Sequence, residues 1–243
     1  MAKMHRSVFD LSPRKTLIHE AGERHSRHSH ADGFMALVLS GSYEEIGDTG
    51  SWAVAPGDVI VHSPFEAHYN GIGTRGAEVL LMPIQSFRKH ALLALDDPDE
   101  AVRLSQKSPE VAAAYVLKNA RNRASNVRDW PDLLAQAIRE EPDLQITQWA
   151  LGIGLDPAVV SRGFRRHFDC SPSQYRLKSR VRAALPAIAS NEGTLGDIAH
   201  DCGFSDQAHF SRAIRSATGL SPTGLRAFFE ERAHKCMGTT HTA

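Results

Sequence analysis

Gly203-Phe204-Ser205-Asp206-Gln207-Ala208-His209-Phe210-Ser211-Arg212, followed by Ser221-Pro222, decides how the C-terminal half of this 243-residue chain folds. Glycine tolerates the left-handed backbone of a tight turn, so Gly203 ends one helix and a second opens just beyond it. The second helix puts polar and cationic side chains on one face and Phe210 and Ile214 on the other. A looser copy stands upstream as Gly154-Leu155-Asp156-Pro157-Ala158-Val159-Val160-Ser161-Arg162, then Ser171-Pro172. Ser161 and Ser211 are 50 residues apart, and so are Ser171 and Ser221. A fixed period marks a duplicated supersecondary unit. Two helix-turn-helix units follow.

Helix starts around these units are well signalled. Thr194 with Asp197, and Ser171 with Gln174, have capping-box spacing. Pro172 and Pro222 stand at first helical positions, where a missing N–H costs nothing, and Asp156-Pro157 repeats the arrangement. Leu195, Ile198, Ala199 and Cys202 form one apolar face. Between the units, Ser171 to Ser190 reads as a connecting helix with Leu177, Val181, Leu185 and Ile188 as its stripe. Its length is roughly 30 Å, close to the major-groove repeat of about 34 Å. Periodicity alone leaves two readings open, a plain packing module and a DNA reader.

Composition sets the outer limits. A hydrophobic fraction of 42% and a charged fraction of 23% are those of an ordinary globular protein with room for two modest domains. Zero formal net charge argues against a general polyanion binder. From Asp143 onward 12 Lys and Arg face 9 Asp and Glu, so the basic signature is local. It lies in Arg162, Arg165 and Arg166, then Arg176, Lys178, Arg180 and Arg182. Cys170, Cys202 and Cys236 are too few and scattered for a disulfide framework. No secretory pattern opens the chain and Phe34–Leu39 is too short to span a bilayer, so a cytoplasmic location without membrane contact is expected.

The first third has strand character. Phe34–Leu39, Trp52–Val54, Val59–Val61 and Val79–Met82 are short apolar runs between Gly33, Gly41, Gly50, Pro56-Gly57 and Gly71, the pattern of a small all-β sandwich or barrel. From Ser86 to Arg128 the pattern turns helical, with Ala91–Leu95, Ala101–Leu104 and Val111–Leu117 separated by Pro98 and Pro109. Asn119–Arg128 reads either as a hinge or as a solvated helix end. The polar tail from His234 is expected to be disordered.

Residues from about Leu144 to Phe229 resemble the tandem helix-turn-helix domain of AraC-type bacterial transcription regulators. The second unit, from Ile198-Ala199 through Gly203–Arg212 to Gly219-Leu220-Ser221-Pro222, is a close match. The first is in register at Ala150, Gly154, Ser161-Arg162, Phe164, Ser171-Pro172 and Tyr175. The resemblance implies that Ala158, Ser161, Arg162 and Arg165 on one helix face the DNA groove. On the other helix it implies the same of Gln207, His209, Ser211, Arg212 and Arg215. Arg166 is expected on phosphate. Val160, Phe164, Phe210 and Ile214 would be core. Three positions depart from the pattern: Gly163 inside the first reading helix, Asp169 where the second unit has Gly219, and Pro186, expected to kink the connecting helix.

Gly22-x5-His28-x-His30 with Gly41, then Pro56-Gly57-Asp58 with His68 and Asn70, resemble the two motifs of cupin barrels. Residues i and i+2 on a strand point the same way. His28 and His30, joined by His68, could therefore hold one divalent metal, zinc, iron, manganese or nickel. Phe34 occupies the position where cupins usually supply a glutamate. His28, His30, His68 and Phe34 would then line an organic-ligand pocket, with or without metal.

The fold expected is two-domain, β then α: a cupin-like sensor barrel over 8–85, a helical connector over 86–128 that could carry dimerisation, a tandem helix-turn-helix domain over 129–232 and a disordered tail over 233–243. The function expected is a non-enzymatic transcription regulator whose barrel senses a small-molecule effector while the readers bind double-stranded promoter DNA. Homodimerisation and contact with RNA polymerase fit the same reading. The alternative is a cupin metalloenzyme, a dioxygenase or isomerase, fused to a DNA-binding unit.

Overall fold

Phe34-Met35-Ala36-Leu37-Val38 has no polar member, as suits a strand covered on both faces. The computed structural model, which describes residues 3–4, 16–84, 87, 92–123 and 129–238, places this run at the start of a 15-residue strand. In chain order the strands are β1 (Lys3–Met4), β2 (Thr16–His19), β3 (Arg24–Ser29), β4 (Gly33–Gly47), β5 (Gly50–Val54), β6 (Asp58–His62), β7 (Ala67–Ile84), β8 (Leu92–Ala94) and β9 (Arg121–Asn122). They form one sheet in the order β1-β3-β7-β4-β6-β8-β9, with β2 added on β7 and β5 on β4. Among the described residues, only the β1–β3 pair is parallel.

The long strands β4 and β7 bend together. Their register shifts between Val38 and Ser40 and again between Gly41 and Tyr43. Gly41 has φ 72°, and a Cβ there would stand 2.0 Å from the Gly76 carbonyl oxygen. Only glycine permits that approach. Ala36, Val38 and Ile60 from one half of the ribbon thereby share a core with Tyr43, Val54 and Ile72 from the other. The sheet folds over onto itself, yet among the described residues no pairing joins β1 to β9. What the structure shows is an antiparallel sheet domain, not a closed barrel.

The opposite face carries Met35, Leu37, Val59, Val61, Leu80 and Met82. Two helices cover it, α1 (Pro98–Ser105) and α2 (Pro109–Asn119), through Ala101, Ala112, Ala113 and Val116. Pro98 and Pro109 are their first residues, capped by Asp97 and Ser108. This corrects the connector expected over 86–128: its described part, residues 92–123, completes the core of the first unit, which spans 1–133. Of the run Ala91–Leu95 expected as helix, Ala91 lies outside the described residues and Leu92–Leu95 is not helix. Residues 92–94 form β8, paired with β6, because a five-residue apolar run is as good a buried strand as a helix turn. The expected boundaries at 8 and 86 and half of the hinge read over Asn119–Arg128, residues 124–128, lie outside the described residues.

The second unit spans 134–243. Its helices are α3 (Trp130–Glu140, which begins before the division), α4 (Ile146–Gly152), α5 (Pro157–Phe168), α6 (Pro172–Ser190), α7 (Leu195–Asp201), α8 (Gln207–Thr218) and α9 (Pro222–Gly238). Both capping boxes read from the sequence form: Ser171 with Gln174, and Thr194 with Asp197. Helix α6 runs unbroken through Pro186. The tail expected to be disordered from 233 is helical to Gly238, and residues 239–243 lie outside the described set. No helix among the described residues is long and apolar enough to cross a membrane.

Candidate functional site

Helices α5 and α8 are each 12 residues long and are built alike. Asp156 accepts hydrogen bonds from the Ala158 and Val159 amides at 2.8 and 3.2 Å. Asp206 accepts from the His209 amide at 2.7 Å. Each cap satisfies N–H groups that a helix start leaves orphaned. The turns before them share one pattern: the Leu155 amide donates to the Ala150 carbonyl and the Phe204 amide to the Ala199 carbonyl, with Gly154 and Gly203 at φ 75° and 74°. Helix ends match too, since Asp169 and Gly219 are both left-handed, at φ 55° and 78°. A short polar residue can take that conformation, so the departure at Asp169 is accommodated.

The repeat is not uniform. From the caps onward the offset is 50 residues, but from Gly154 to Gly203 it is 49. Ser205 is the extra residue. Its hydroxyl donates to the Asp206 carboxylate at 3.1 Å and lies 3.5 Å from His209 Nδ1.

Each helix buries an aromatic side and exposes a polar one. Val160, Phe164 and Phe168 on α5 are fully buried, as are Phe210, Ile214 and Thr218 on α8. Phe164 and Phe168 pack on the Tyr175 ring of α6, whose hydroxyl accepts from Arg139 at 2.5 Å. Ala158, Ser161, Arg162, Arg165 and Arg166 are exposed on α5. Ala158, Ser161, Arg162 and Arg165 recur at i, i+3, i+4 and i+7, so they share one stripe. On α8, Gln207, Arg212 and Arg215 are exposed and Ser211 is half-buried. His209 is half-buried and its ring meets the Phe204 ring edge-on at 5.3 Å. It braces the turn through that contact.

The basic run on α6 divides. Arg176 donates to the Leu144 carbonyl, and Arg180 donates to the Pro142 carbonyl at 3.3 Å and the Asp143 carboxylate at 3.2 Å. These two arginines hold the α3–α4 loop.

In the sheet unit, His28 and His68 are register partners on β3 and β7. His28, His30 and His68 bring one ligand nitrogen each within 4.8 Å of the others. The ring centroids stand 4.5 Å apart for His28–His68 and 4.9 Å for His28–His30. His28 Nδ1 lies 2.8 Å from the Ser26 carbonyl. A carbonyl only accepts, so Nδ1 carries the proton and Nε2 keeps its lone pair for a ligand or metal. Phe65, left-handed at φ 62°, donates its amide to the His30 carbonyl at 2.7 Å and so ties His30 to the segment leading into His68.

Two further members, His62 and Glu45, belong to no motif legible in the sequence. His62 stacks between Phe34 and His68, with centroids 4.3 Å from each. Glu45 Oε2 lies 3.5 Å from His62 Nε2 and has no hydrogen-bond partner, and neither do His62 Nδ1 and His68 Nδ1. Burial first, then His30 and His28, lowers His62 to about 3. Burial and the neighbouring imidazoles, with Arg27, hold His68 well below the usual range. Burial, then Glu66, pushes the Glu45 carboxyl well up. Around neutrality His62 and His68 are neutral imidazoles, the form that coordinates metal and accepts hydrogen bonds. Phe34 is an apolar wall of it, stacked on His62 and edge-on to His30 at 5.0 Å.

A helix-turn-helix domain family matches residues 149–227. The HTH-type transcriptional regulator GbdR of Pseudomonas aeruginosa is 23% identical over 178 residues, covering 73% of this chain and 42% of GbdR. The arabinose operon regulatory protein of Escherichia coli K12 is 28% identical over 94 residues, 39% of this chain and 32% of that protein. The chain thus spans less than half the length of these relatives. Among solved structures, the C-terminal domain of AraT, a response regulator from Geobacillus stearothermophilus, is 25% identical with a TM-score of 0.39, covering 43% of this chain and 88% of that one. ToxT from Vibrio cholerae is 10% identical with a TM-score of 0.42, covering 89% and 97%. The sequence match falls on the two capped turns and their buried aromatic helices, and residues 149–227 match a helix-turn-helix domain.

Proposed function

We propose that this protein is a transcription regulator: its helical unit binds double-stranded promoter DNA, and its sheet unit, which we read as cupin-like from its histidine motifs, binds a small-molecule effector. The observation that carries the reading is the pair of capped helices α5 and α8. Each exposes arginine and short polar side chains opposite a fully buried aromatic core. Arginine reads guanine O6 and N7 in a bidentate fashion and glutamine reads adenine, so Arg162, Arg165, Gln207, Arg212 and Arg215 are the base readers, with Ala158 and Ser161 in close approach and Ser211 beside them. Arg166 binds phosphate, and His209 acts mainly by holding the turn. DNA binding agrees with a cytoplasmic location.

The effector site is the wall of His28, His30, His68 and Phe34. Three imidazoles with their ligand atoms within 4.8 Å of one another also fit a single divalent ion, zinc, iron, manganese or nickel, held by His28, His30 and His68. The ion would add a Lewis-acidic anchor for an anionic effector. The relatives are named as transcriptional regulators, which supports a non-enzymatic reading over a cupin dioxygenase or isomerase. Pairing of two chains and contact with RNA polymerase belong to the same proposal.

Recovering bound fragments from genomic DNA with the full-length protein, then measuring mobility shifts with Arg212→Ala and Arg166→Ala, tests the reading. Arg212→Ala is expected to cost about 1–3 kcal/mol at one or two base positions. Arg166→Ala is expected to weaken all sequences alike and to flatten the salt dependence. No preference of the parent protein over random duplex defeats the proposal.

A further inference from the structure

The β2–β3 turn gathers three metal-ligating side chains that share no residue with the inner histidine cluster. Strands β2 and β3 occupy successive stretches of one edge of β7, with His19 opposite Ala77 and Arg24 opposite Gly71. Residues 20–23 bridge the interruption. The bridge is anchored by its own backbone: Gly22 donates to the Gly73 carbonyl at 3.2 Å, Ile72 to the Glu23 carbonyl at 2.9 Å, and Glu23 to the Glu20 carbonyl at 3.2 Å. Glu23 Oε2 also accepts the Glu20 amide at 3.1 Å. The carboxylate is therefore fixed before any ligand arrives.

The two ring nitrogens and the two carboxylate oxygens close on one another, with one ligand atom from each residue within 4.8 Å of the others. His25 Nε2 lies 3.1 Å from His19 Nδ1. His19 Nδ1 lies 3.5 Å from Glu23 Oε2, and His25 Nε2 lies 3.5 Å from Glu23 Oε1. Four ligands at zinc's usual 2.0–2.1 Å, arranged tetrahedrally, stand about 3.3–3.4 Å from one another. The three separations bracket that edge length, so an ion could be seated with adjustments of only a few tenths of an ångström. The imidazole planes are crossed at 74°, and an ion seated between the rings takes the place of the proton that their hydrogen bond shares. The side chains keep 20%, 31% and 39% of their exposure for His19, His25 and Glu23, leaving a side open for a water as the fourth ligand.

We propose that His19, Glu23 and His25 form a site for a divalent cation of the zinc class, which clips β2 to β3 across the break in the β7 edge. Two imidazoles and one carboxylate are a donor set suited to zinc, with nickel and copper as competitors, and poorly suited to magnesium or calcium. Unlike the inner three-histidine set, this site has no fully buried member, and it holds strand to strand at the sheet edge.

The test uses full-length protein stripped with chelator and titrated with Co2+, whose visible absorption reports a tetrahedral site. His68→Ala serves as background to remove the inner cluster. We expect one Co2+ per chain, displaced by Zn2+, with the absorption lost in His25→Ala. Glu23→Gln, which can still accept the Glu20 amide, should bind at least about tenfold more weakly. If the His68→Ala background does not fold by circular dichroism, the same variants in the wild-type chain should each lower the stoichiometry by one ion. Absence of Co2+ binding by the background protein overturns the assignment. So does an unchanged spectrum and affinity in folded His25→Ala and Glu23→Gln.

Discussion

Replacing the two turn glycines by alanine should separate a backbone cost from a packing cost. Gly154 and Gly203 hold the same left-handed conformation, at φ 75° and 74°. An L-residue loses about 1–2 kcal/mol there. Around Gly154 nothing lies within 4 Å of an added Cβ, so Gly154→Ala should cost only that amount. At Gly203 the Cβ would meet Arg180 Nε at 3.2 Å and Cζ at 3.3 Å. The guanidinium must give way, disturbing its hydrogen bonds to the Pro142 carbonyl and Asp143. One of those partners, Asp143, is largely exposed, so the added loss is about 0.5–1.5 kcal/mol. Gly203→Ala should therefore be the more damaging by about 1 kcal/mol, and Arg180→Ala should erase the difference. Urea unfolding of the full chain followed at 222 nm reads mainly the helical unit and measures all four proteins. Equal losses at the two glycines, within about 0.3 kcal/mol, would refute the role given to Arg180.

Asp156→Ala and Asp206→Ala should each destabilise the helical unit by about 1 kcal/mol, with asparagine restoring most of it, by the same unfolding assay. Phe210→Ala, emptying a fully buried site, should cost about 3–5 kcal/mol, whereas the exposed Arg212→Ala should change stability by less than about 0.5 kcal/mol while altering base preference. For metal-free protein, His62 has its pKa lowered to about 3 from 6.5. The unfolded chain then binds more protons between those values, and stability is lost as pH falls through that window. At pH 5 the loss from His62 is about 2 kcal/mol relative to pH 8. Glu45, raised instead, acts in the opposite sense, weakening the fold as pH rises past the ordinary carboxylate range. His62→Phe should flatten the acid limb of a stability–pH curve, and an unchanged limb would contradict the burial assigned to this ring.

Much of the helical unit was legible because its signals are local. A cap, a proline at the first position and a left-handed glycine act within four residues, so the spacing of Asp156, Ser171 and Thr194 could be read directly. The one-residue difference at Ser205 escaped because the offset had been measured only downstream of the caps. The sheet unit was harder. The inward parity of β4 runs through Phe34, Ala36 and Val38, then passes the two register shifts and continues at Tyr43. Glu45 thereby faces the core from an odd position, and no period-two reading crosses two bulges. His62 shares parity with Ile60, but it joins the cluster through its pairing with Phe34, a contact 28 residues distant in sequence. The Ala91–Leu95 run failed for the opposite reason: its few apolar residues carry no period at all.

The extra serine in the second turn also limits how the two halves of the duplication can exchange material. Crossover between the copies upstream of the caps would transplant a turn of the wrong length and rotate the following helix relative to its core. Crossover at Asp156 and Asp206, or beyond them, keeps Val160 aligned with Phe210 and Phe164 with Ile214. Exchange between the helices α5 and α8 therefore keeps core positions opposite core positions, while exchange of the turns ahead of them does not.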